Sequence, residues 1–311
     1  MRAKYDGGSP GTVPRRGRGA SQSKRRGGAW IAQLVAVVAV WAAALLVAPT
    51  AAPASDDPPA SSEGDEPATR VRAALLAFNA HARFRLPALS DAQVSRLLDG
   101  KVVKIREVTD EDAPQRAIGL LRTSVPKEHL WLAARDVHFT AVDELIEVQL
   151  TPDGEWPAVW YQPLDMPRPF SDRHWVVDVT DTHTLAEATG GRAWEHGWVL
   201  TDGGPTIATE AVGGGRVPGV DSERIEGAIY TPVNHGAWLV IDLGDGTTLL
   251  GYHVTSVIGG RIPDKLVADY TLLTLGKLLK GVVERAPEVV SHYAEGHAPI
   301  EGGDGVAVQA P

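Results

Sequence analysis

The segment from Leu249 to Arg285 constrains the fold more than any other part of this sequence. Its first part, LLGYHVTSV, has the alternation with period two that is typical of a half-buried strand. The following GGRIPDKLV contains two glycines and a proline, which end a strand and begin a helix. Apolar residues then recur at helical spacing as far as GVVER. A strand that runs through such a break into a closing helix predicts a curved sheet that grips a helix.

The chain between residues 69 and 290 predicts a single α+β domain. Helices are expected over 69–85, 91–99 and 125–136 from apolar spacing and capping residues. The expected strands cover 101–108, 116–123, 145–150, 156–161, 173–179, 192–200, 224–231, 237–243 and 247–257. Asp-Gly pairs at 153–154 and 245–246 favour tight antiparallel hairpins, because glycine accepts positive φ there. The glycine-rich stretch 203–219 is interpreted as a flexible insertion between strands.

The last helix, expected over 263–285, is the long apolar element that can cover the inner face of this sheet. We therefore predict a helix-grip architecture, a curved antiparallel sheet wrapped around a long C-terminal helix. The stripe expected to face the sheet consists of Leu266, Tyr270, Leu273, Leu275, Leu279 and Val282.

The N-terminal part predicts a membrane segment. Residues 1–28 carry eight Lys or Arg and one acid, and residues 29–48 are apolar except for Gln33. Twenty apolar residues match a hydrocarbon core of roughly 30 Å, and the basic flank places the N-terminus in the cytoplasm. The segment is either an uncleaved signal anchor or a signal sequence cleaved near Ala52-Pro53-Ala54. Residues 49–68 are expected to form a flexible Pro/Ala/acidic linker, and residues 291–311 a disordered tail. The domain would then be exported, as a membrane-anchored or periplasmic module.

Composition excludes several classes of function. Without the basic tail the chain carries a net charge of about −16, which disfavours nucleic acid and gives no attraction to anionic lipid headgroups. It has no cysteine, and it lacks the G-x-S-x-G, H-E-x-x-H and phosphate-loop motifs. The histidines show no metal-ligand spacing. We therefore name no catalytic or metal-binding residue and expect no cofactor.

Four passages resemble the START family, the lipid transfer domains related to steroidogenic acute regulatory protein, within the helix-grip superfamily that includes polyketide cyclases. They are VPKEHLWLAARDV, AVWYQPLDMPRPFSDRHWVV, GAWLVIDLGDGTTLLGYHV and GGRIPDKLV, and the resemblance covers roughly residues 90–285. His174 departs from the pattern, because the family commonly has an acid after the arginine at this place.

The resemblance implies a hydrophobic tunnel between the sheet and the last helix. The expected cavity residues are Trp175, Val177, Trp194, His196, Trp198, Leu250, Tyr252, Val254, Tyr270 and Leu273. The expected lid residues are Met166, Pro167, Phe170 and Arg173, the last fixing the lid base to Asp172 or Asp165. Gly259, Gly260 and Pro263 would form a hinge. The alternatives are a solid core, an ordinary turn at the lid position and a surface arginine at position 173.

From the resemblance we expect a monomer that binds a lipid or sterol-like molecule at the membrane and carries or senses it. We expect no enzyme, but a cyclase or aromatase of the same superfamily, using His196 and Arg192 as acid and base, stays open. A third alternative is an envelope interaction domain that holds no ligand.

Overall fold

A computed structural model describes residues 65–110, 113–140, 144–152, 154–297 and 300–308. The predicted basic tail, the apolar segment 29–48 and residues 49–64 of the linker lie outside these ranges. Within the described ranges, no helix combines the length and apolarity that a bilayer crossing requires. The membrane segment and export therefore stay predictions.

The described chain folds as one antiparallel sheet covered by helices on both faces. The strands are β1 Val103–Glu107, β2 Arg116–Thr123, β3 Val148–Gln149, β4 Ala158–Leu164, β5 Arg173–Asp181, β6 Ala193–Leu200, β7 Ile229–Tyr230, β8 Val233–Asp242 and β9 Thr248–Val257. The helices are α1 Asp65–His81, α2 Asp91–Leu98, α3 Lys127–Arg135, α4 Val137–Thr140, α5 His183–Ala188, α6 Gly204–Gly213, α7 Ser222–Gly227 and α8 Asp264–Ala294. The sheet order is β1-β2-β9-β8-β6-β5-β4-β3, and the short β7 pairs with β5 in parallel. The predicted α+β class is confirmed.

The register aligns rows of side chains across the inner face of the sheet, the face that α8 covers. One row joins Gly119, Tyr252, Trp238 and His196, and the next joins Ala117, Val254, Gly236 and Trp198. The outer face carries residues such as Ile118, Leu120 and Leu239, which pack under α1 and α2. The side chains of β5, β6 and β9 thus alternate between the two faces of the sheet as the sequence predicts.

Two segments were predicted wrongly between β6 and β8. Residues 224–231 begin as α7, because the Asp221 side chain accepts a 2.9 Å hydrogen bond from the Arg224 backbone N–H and caps a helix. The stretch 203–219 contains α6, whose Ala208, Ala211 and Val212 pack on the outer face. Their helical spacing outweighs the local glycine content.

Leu273 was wrongly placed on the stripe of α8 that faces the sheet. Its side chain is 72% exposed, whereas Leu275, Leu279 and Val282 are buried against the sheet. Residues two positions apart in an α-helix differ in direction by about 200°, so Leu273 and Leu275 cannot share a face. Leu273 therefore does not line the candidate cavity.

The C-terminal tail differs from the predicted disorder over the residues that the structure describes. Helix α8 continues to Ala294. Within residues 300–308, the carbonyl of Glu301 accepts hydrogen bonds from Trp131 Nε1 (2.9 Å) and Arg135 Nη1 (3.0 Å), and Val308 is buried. The absence of a Cβ at Gly302 and Gly303 allows this segment to lie against Trp194. Composition alone missed these contacts because they are made mainly by the backbone.

Candidate functional site

The space between the sheet and α8 is bounded by two apolar clusters. The rear cluster joins the second half of α8 to α3 and the sheet through residues such as Trp131, Trp194 and Leu250. The front cluster joins the first turns of α8 to the loop 165–172 and the end of β9. Trp198 packs against both clusters. The region between them is called the inner gap here, and its walls are His196, Trp198, Tyr252, Val254 and Tyr270.

These five residues are half-buried, although four of them lie on the sheet face that α8 covers and Tyr270 lies on α8 itself. By contrast, Trp194 and Leu250 are buried in the rear cluster, and Trp175 and Val177 are buried in the front cluster. The predicted cavity residues therefore form three groups. Two groups are buried at the ends of the interior, and the group between them is half-buried. The solid-core alternative describes the ends of the interior better than its middle.

Aromatic rings form the floor of the inner gap. The ring of Tyr252 lies 4.6 Å from that of Trp238 and 5.8 Å from that of Trp198, measured between centroids. Trp198 Nε1 donates a 3.0 Å hydrogen bond to Asn234 Oδ1, which fixes its indole. Burial raises the pKa of Tyr252, whose hydroxyl makes no hydrogen bond to a described residue. A neutral phenol without a partner can serve a ligand as donor or acceptor.

A charged group lies beside this floor, where Asp181 is held between His196 and Arg135. His196 Nδ1 is 2.7 Å from Asp181 Oδ1, and Arg135 Nη1 is 3.1 Å from Asp181 Oδ2. The Asp181 side chain has no exposed surface. Although burial alone would raise it, His196 and Arg135 hold the pKa of Asp181 below its ordinary value. Burial, aided by Arg135, lowers the pKa of His196.

His196 is therefore a neutral imidazole beside an ionised carboxylate. Because the carboxylate accepts, Nδ1 carries the proton and Nε2 keeps its lone pair. Nε2 makes no hydrogen bond to a described residue. Sequence reasoning missed Asp181 and Arg135, although Asp181 continues the inward alternation of Trp175, Val177 and Val179. Arg192, the expected partner of His196, is exposed and donates instead to the Asp242 carbonyl (3.0 Å).

The loop 165–172 lies at the front end of the gap. Met166 is buried and Phe170 half-buried against the front cluster, and Pro167 is half-buried beside them. The Met166 backbone N–H donates a 2.9 Å hydrogen bond to Asp172 Oδ1, which closes the base of the loop. Met166 and Phe170 also line an open groove of about 490 Å³ between this loop and α7. These two side chains thus separate the apolar interior from the groove outside.

Arg173 joins the base of this loop to the start of α8. It is 2% exposed, so the surface-arginine alternative is wrong. Its Nε donates to the Ile258 carbonyl (2.6 Å), its Nη2 to the Gly259 carbonyl (3.1 Å), and its Nη1 to the Ser171 carbonyl. The expected carboxylate partners, Asp165 and Asp172, are paired with Arg224 instead.

The proposed hinge follows directly after these carbonyls. Gly259 and Gly260 have φ of 69° and 76°, a region that side-chain-bearing residues rarely adopt. A Cβ on Gly260 would lie 2.9 Å from Ile229 Cδ1 and 3.1 Å from Arg173 Nη2. Pro263 is exposed and caps the N-terminus of α8. His174, the departure from the family pattern, is buried on the outer face, with Nδ1 3.2 Å from the Tyr161 hydroxyl.

Over the described ranges, no three His, Asp or Glu side chains are arranged to hold a metal ion. What these ranges do contain is a curved antiparallel sheet closed by a long C-terminal helix, with a lid-like loop at one end and aromatic residues between them. This is an α+β fold in which a curved sheet grips a long C-terminal helix, as the sequence predicts.

Comparisons with solved structures find several similar chains. Human STARD10 has 12% identity and a TM-score of 0.47, covering 70% of this chain and 87% of that chain. The STAR-related lipid transfer protein of Xanthomonas axonopodis has 16% identity and a TM-score of 0.43, covering 60% and 93%. The Zhui aromatase/cyclase of Streptomyces sp. R1128 has 11% identity and a TM-score of 0.32, covering 56% and 94%. No family model and no curated protein matches the sequence. Because these TM-scores are below 0.5, we infer nothing about function from them.

Proposed function

We propose that this chain binds one lipid or sterol-like molecule in the inner gap. The observation that supports this most directly is that the walls of the inner gap, four residues of the sheet and Tyr270 of α8, stay half-buried while both neighbouring clusters are closed. A protein interior is normally packed to crystal-like density, so accessible aromatic residues on an inner face favour a place for a ligand.

The chemistry of the walls fits an amphipathic molecule better than a purely apolar one. The rings of Trp198, Tyr252 and Tyr270 supply apolar area, which contributes about 25 cal/mol per Å² buried. The Tyr252 hydroxyl and the His196 Nε2 are polar groups without a partner among the described residues. A hydroxyl or carbonyl on an otherwise hydrophobic ligand would satisfy them and fix its orientation.

The route proposed for the ligand is the front end of the gap. Met166 and Phe170 separate the front cluster from the open groove, and the loop that carries them is tied by Arg173 to Gly259. Rotation at Gly259 and Gly260 would move the start of α8 away from the loop, whose base Arg173 holds on the sheet side of the hinge. We further propose that this happens at a membrane, on the exported side, with residues 29–48 as anchor or signal and transfer or sensing as the outcome.

The experiment that tests ligand binding is purification of residues 55–311 followed by native mass spectrometry and solvent extraction. A bound lipid at one per chain, or uptake of NBD-cholesterol or NBD-phosphatidylcholine from vesicles, is expected. Replacing Trp198 with Ala should weaken uptake at least as much as replacing Tyr252 with Ala, because both rings form the floor. An empty protein that takes up neither probe would refute the proposal and favour the interaction domain.

The Asp181–His196 pair favours a second candidate function, a cyclase or aromatase-like enzyme. A neutral imidazole, oriented through Nδ1 by a buried carboxylate, can take a proton at Nε2 from a bound substrate. His196→Gln distinguishes the two functions. A carrier keeps its transfer rate within a few-fold, whereas an enzyme that binds a polyketide-like substrate would keep binding it and lose turnover.

A further inference from the structure

A basic groove lies on the side of α8 that faces away from the inner gap. It occupies about 620 Å³ between α8 and the segment that joins α2 to β1. The charged residues that line it are Arg96, Lys101, Lys104, Lys277, Lys280 and Glu284. Five cations and one carboxylate therefore face a single groove, on a domain whose net charge is strongly negative.

Other side chains neutralise little of the positive charge of Arg96, Lys101 and Lys104. Lys104 Nζ donates a 2.8 Å hydrogen bond to the Leu273 carbonyl, and Arg96 Nη2 donates one of 3.3 Å to the Val102 carbonyl. Lys101 pairs with Asp99 at 2.9 Å, but both side chains are more than half exposed. An ion pair so exposed contributes little and is screened by salt. Lys280 makes no ion pair with a described residue.

Leu273 adds an apolar side chain to this groove. It is one of its lining residues and is 72% exposed, with Gly276 and Lys277 on the following turn. A single exposed leucine is common on protein surfaces, and Leu273 differs from one such as Leu76 in lying among clustered cations. The combination is typical of surfaces that lie in the headgroup region of a bilayer, where apolar groups enter the interface and cations bind phosphates.

We propose that the basic groove docks this domain on a bilayer that contains anionic lipids, with Leu273 entering the interface between bound headgroup phosphates. This proposal departs from the prediction from overall charge, that the domain gains nothing from anionic headgroups. The cations come from residues 96–104 and 277–280, which are distant in sequence and meet only in the fold. The surface lies outside the inner gap, so this proposal does not depend on a ligand there.

The absence of native cysteine allows a direct test with the full-length chain. Leu273→Cys labelled with NBD should show a blue-shifted emission on vesicles of phosphatidylcholine with 30% phosphatidylglycerol, but not on phosphatidylcholine alone. Leu76→Cys is the matched control, because Leu76 is 75% exposed and lies on α1. Both labelled chains carry the same residues 1–64, so any contribution of that segment is common to both.

The lysines should account for the dependence on anionic lipid. In the Leu273→Cys background, Lys101→Ser with Lys280→Ser should weaken the partition of the labelled site by roughly fivefold per lysine. Salt at about 0.5 M should abolish the response. Equal responses at positions 273 and 76, or a response on neutral vesicles, would overturn the proposal. A response to inorganic phosphate or to DNA without vesicles would also overturn it and indicate a free anion or nucleic acid as the occupant.

Discussion

Two glycines on adjacent strands allow the inner and the outer face of the sheet to be perturbed separately, with the stability of each variant measured beside its ligand affinity. Gly236 in β8 lies on the inner face beside Trp198, and Gly251 in β9 lies on the outer face between Leu239 and Leu120. Neither has a positive φ, so alanine is compatible with the backbone at both positions. Substitution adds one methyl group to each face of the same sheet.

The contacts indicate that Gly236→Ala costs more than Gly251→Ala, because its Cβ meets a backbone oxygen and an indole rather than leucine side chains. A Cβ at position 236 would lie 2.3 Å from the His253 carbonyl oxygen and 2.6 Å from Trp198 Cζ2. At position 251 it would lie 2.7 Å from Leu239 Cδ1 and 2.9 Å from Leu120 Cδ2. Overpacking of this kind typically costs about 1–3 kcal/mol. Both variants should therefore unfold at lower urea concentration, Gly236→Ala more so than Gly251→Ala. Affinities are compared at 25 °C without urea, after circular dichroism has shown that each variant is folded.

Only Gly236→Ala should impair the ligand, because only there does the new methyl group displace a wall of the inner gap. We expect affinity for NBD-cholesterol or NBD-phosphatidylcholine, whichever the wild type binds, to fall about tenfold, or about 1.4 kcal/mol. Gly251→Ala should bind within twofold of the wild type. Equal losses of affinity in the two variants, or a loss confined to Gly251→Ala, would refute the inner gap as the binding site.

Three further predictions concern the lid, the hinge and the buried histidines. Arg173→Lys should lower the free energy of unfolding by about 2–4 kcal/mol, because lysine cannot satisfy the carbonyls that the guanidinium binds; unchanged urea unfolding would contradict this. Phe170→Asp should slow lipid transfer between vesicles while the circular dichroism spectrum stays native, and an unchanged rate would exclude the lid role. Burial lowers the pKa of His253 well below its ordinary value, so below about pH 6.5 the unfolded chain takes up a proton here whereas the folded chain does not. The stability of the fold therefore decreases as the pH falls below about 6.5. From pH 7 to 5.5 the wild type should lose about 1 kcal/mol more than His253→Gln, and parallel curves would show that His253 does not titrate on unfolding.

Most of the sheet could be predicted from sequence because strand alternation is local. Once Trp194, His196 and Trp198 are assigned to one strand, period two places them on one face whatever the neighbouring strands are. The loop and hinge positions likewise follow from prolines and glycines. The sequence cannot say how closely opposite faces approach, so it could not separate the closed ends of the interior from its half-buried middle.

The errors have a common origin in contacts between distant segments. Asp181 is one acid among many until the fold places it between His196 and Arg135. Helical geometry already shows that Leu273 and Leu275 cannot share a face, and the docking of α8 decides that Leu273 is the one that faces outwards. Residues 300–308 lack large apolar side chains apart from Ile300, Val306 and Val308, and the Glu301 carbonyl that fixes them has no sequence signature.

The division of the interior has a consequence for how a ligand could enter without unfolding the protein. The rear cluster contains residues of α8 with no exposed surface, including Leu275, Leu279 and Val282, and it is closed behind by the tail. The residues of the front cluster are less completely buried, and Gly259 and Gly260 join the end of β9 to the start of α8 beside them. Opening the front therefore breaks fewer close-packed contacts than opening the rear, and local free energies of opening follow such differences. The rear cluster can keep α8 on the sheet while the front exchanges ligand. The basic groove adjoins the middle of the same helix, so docking there would hold the helix against the bilayer with its first turns still free to move.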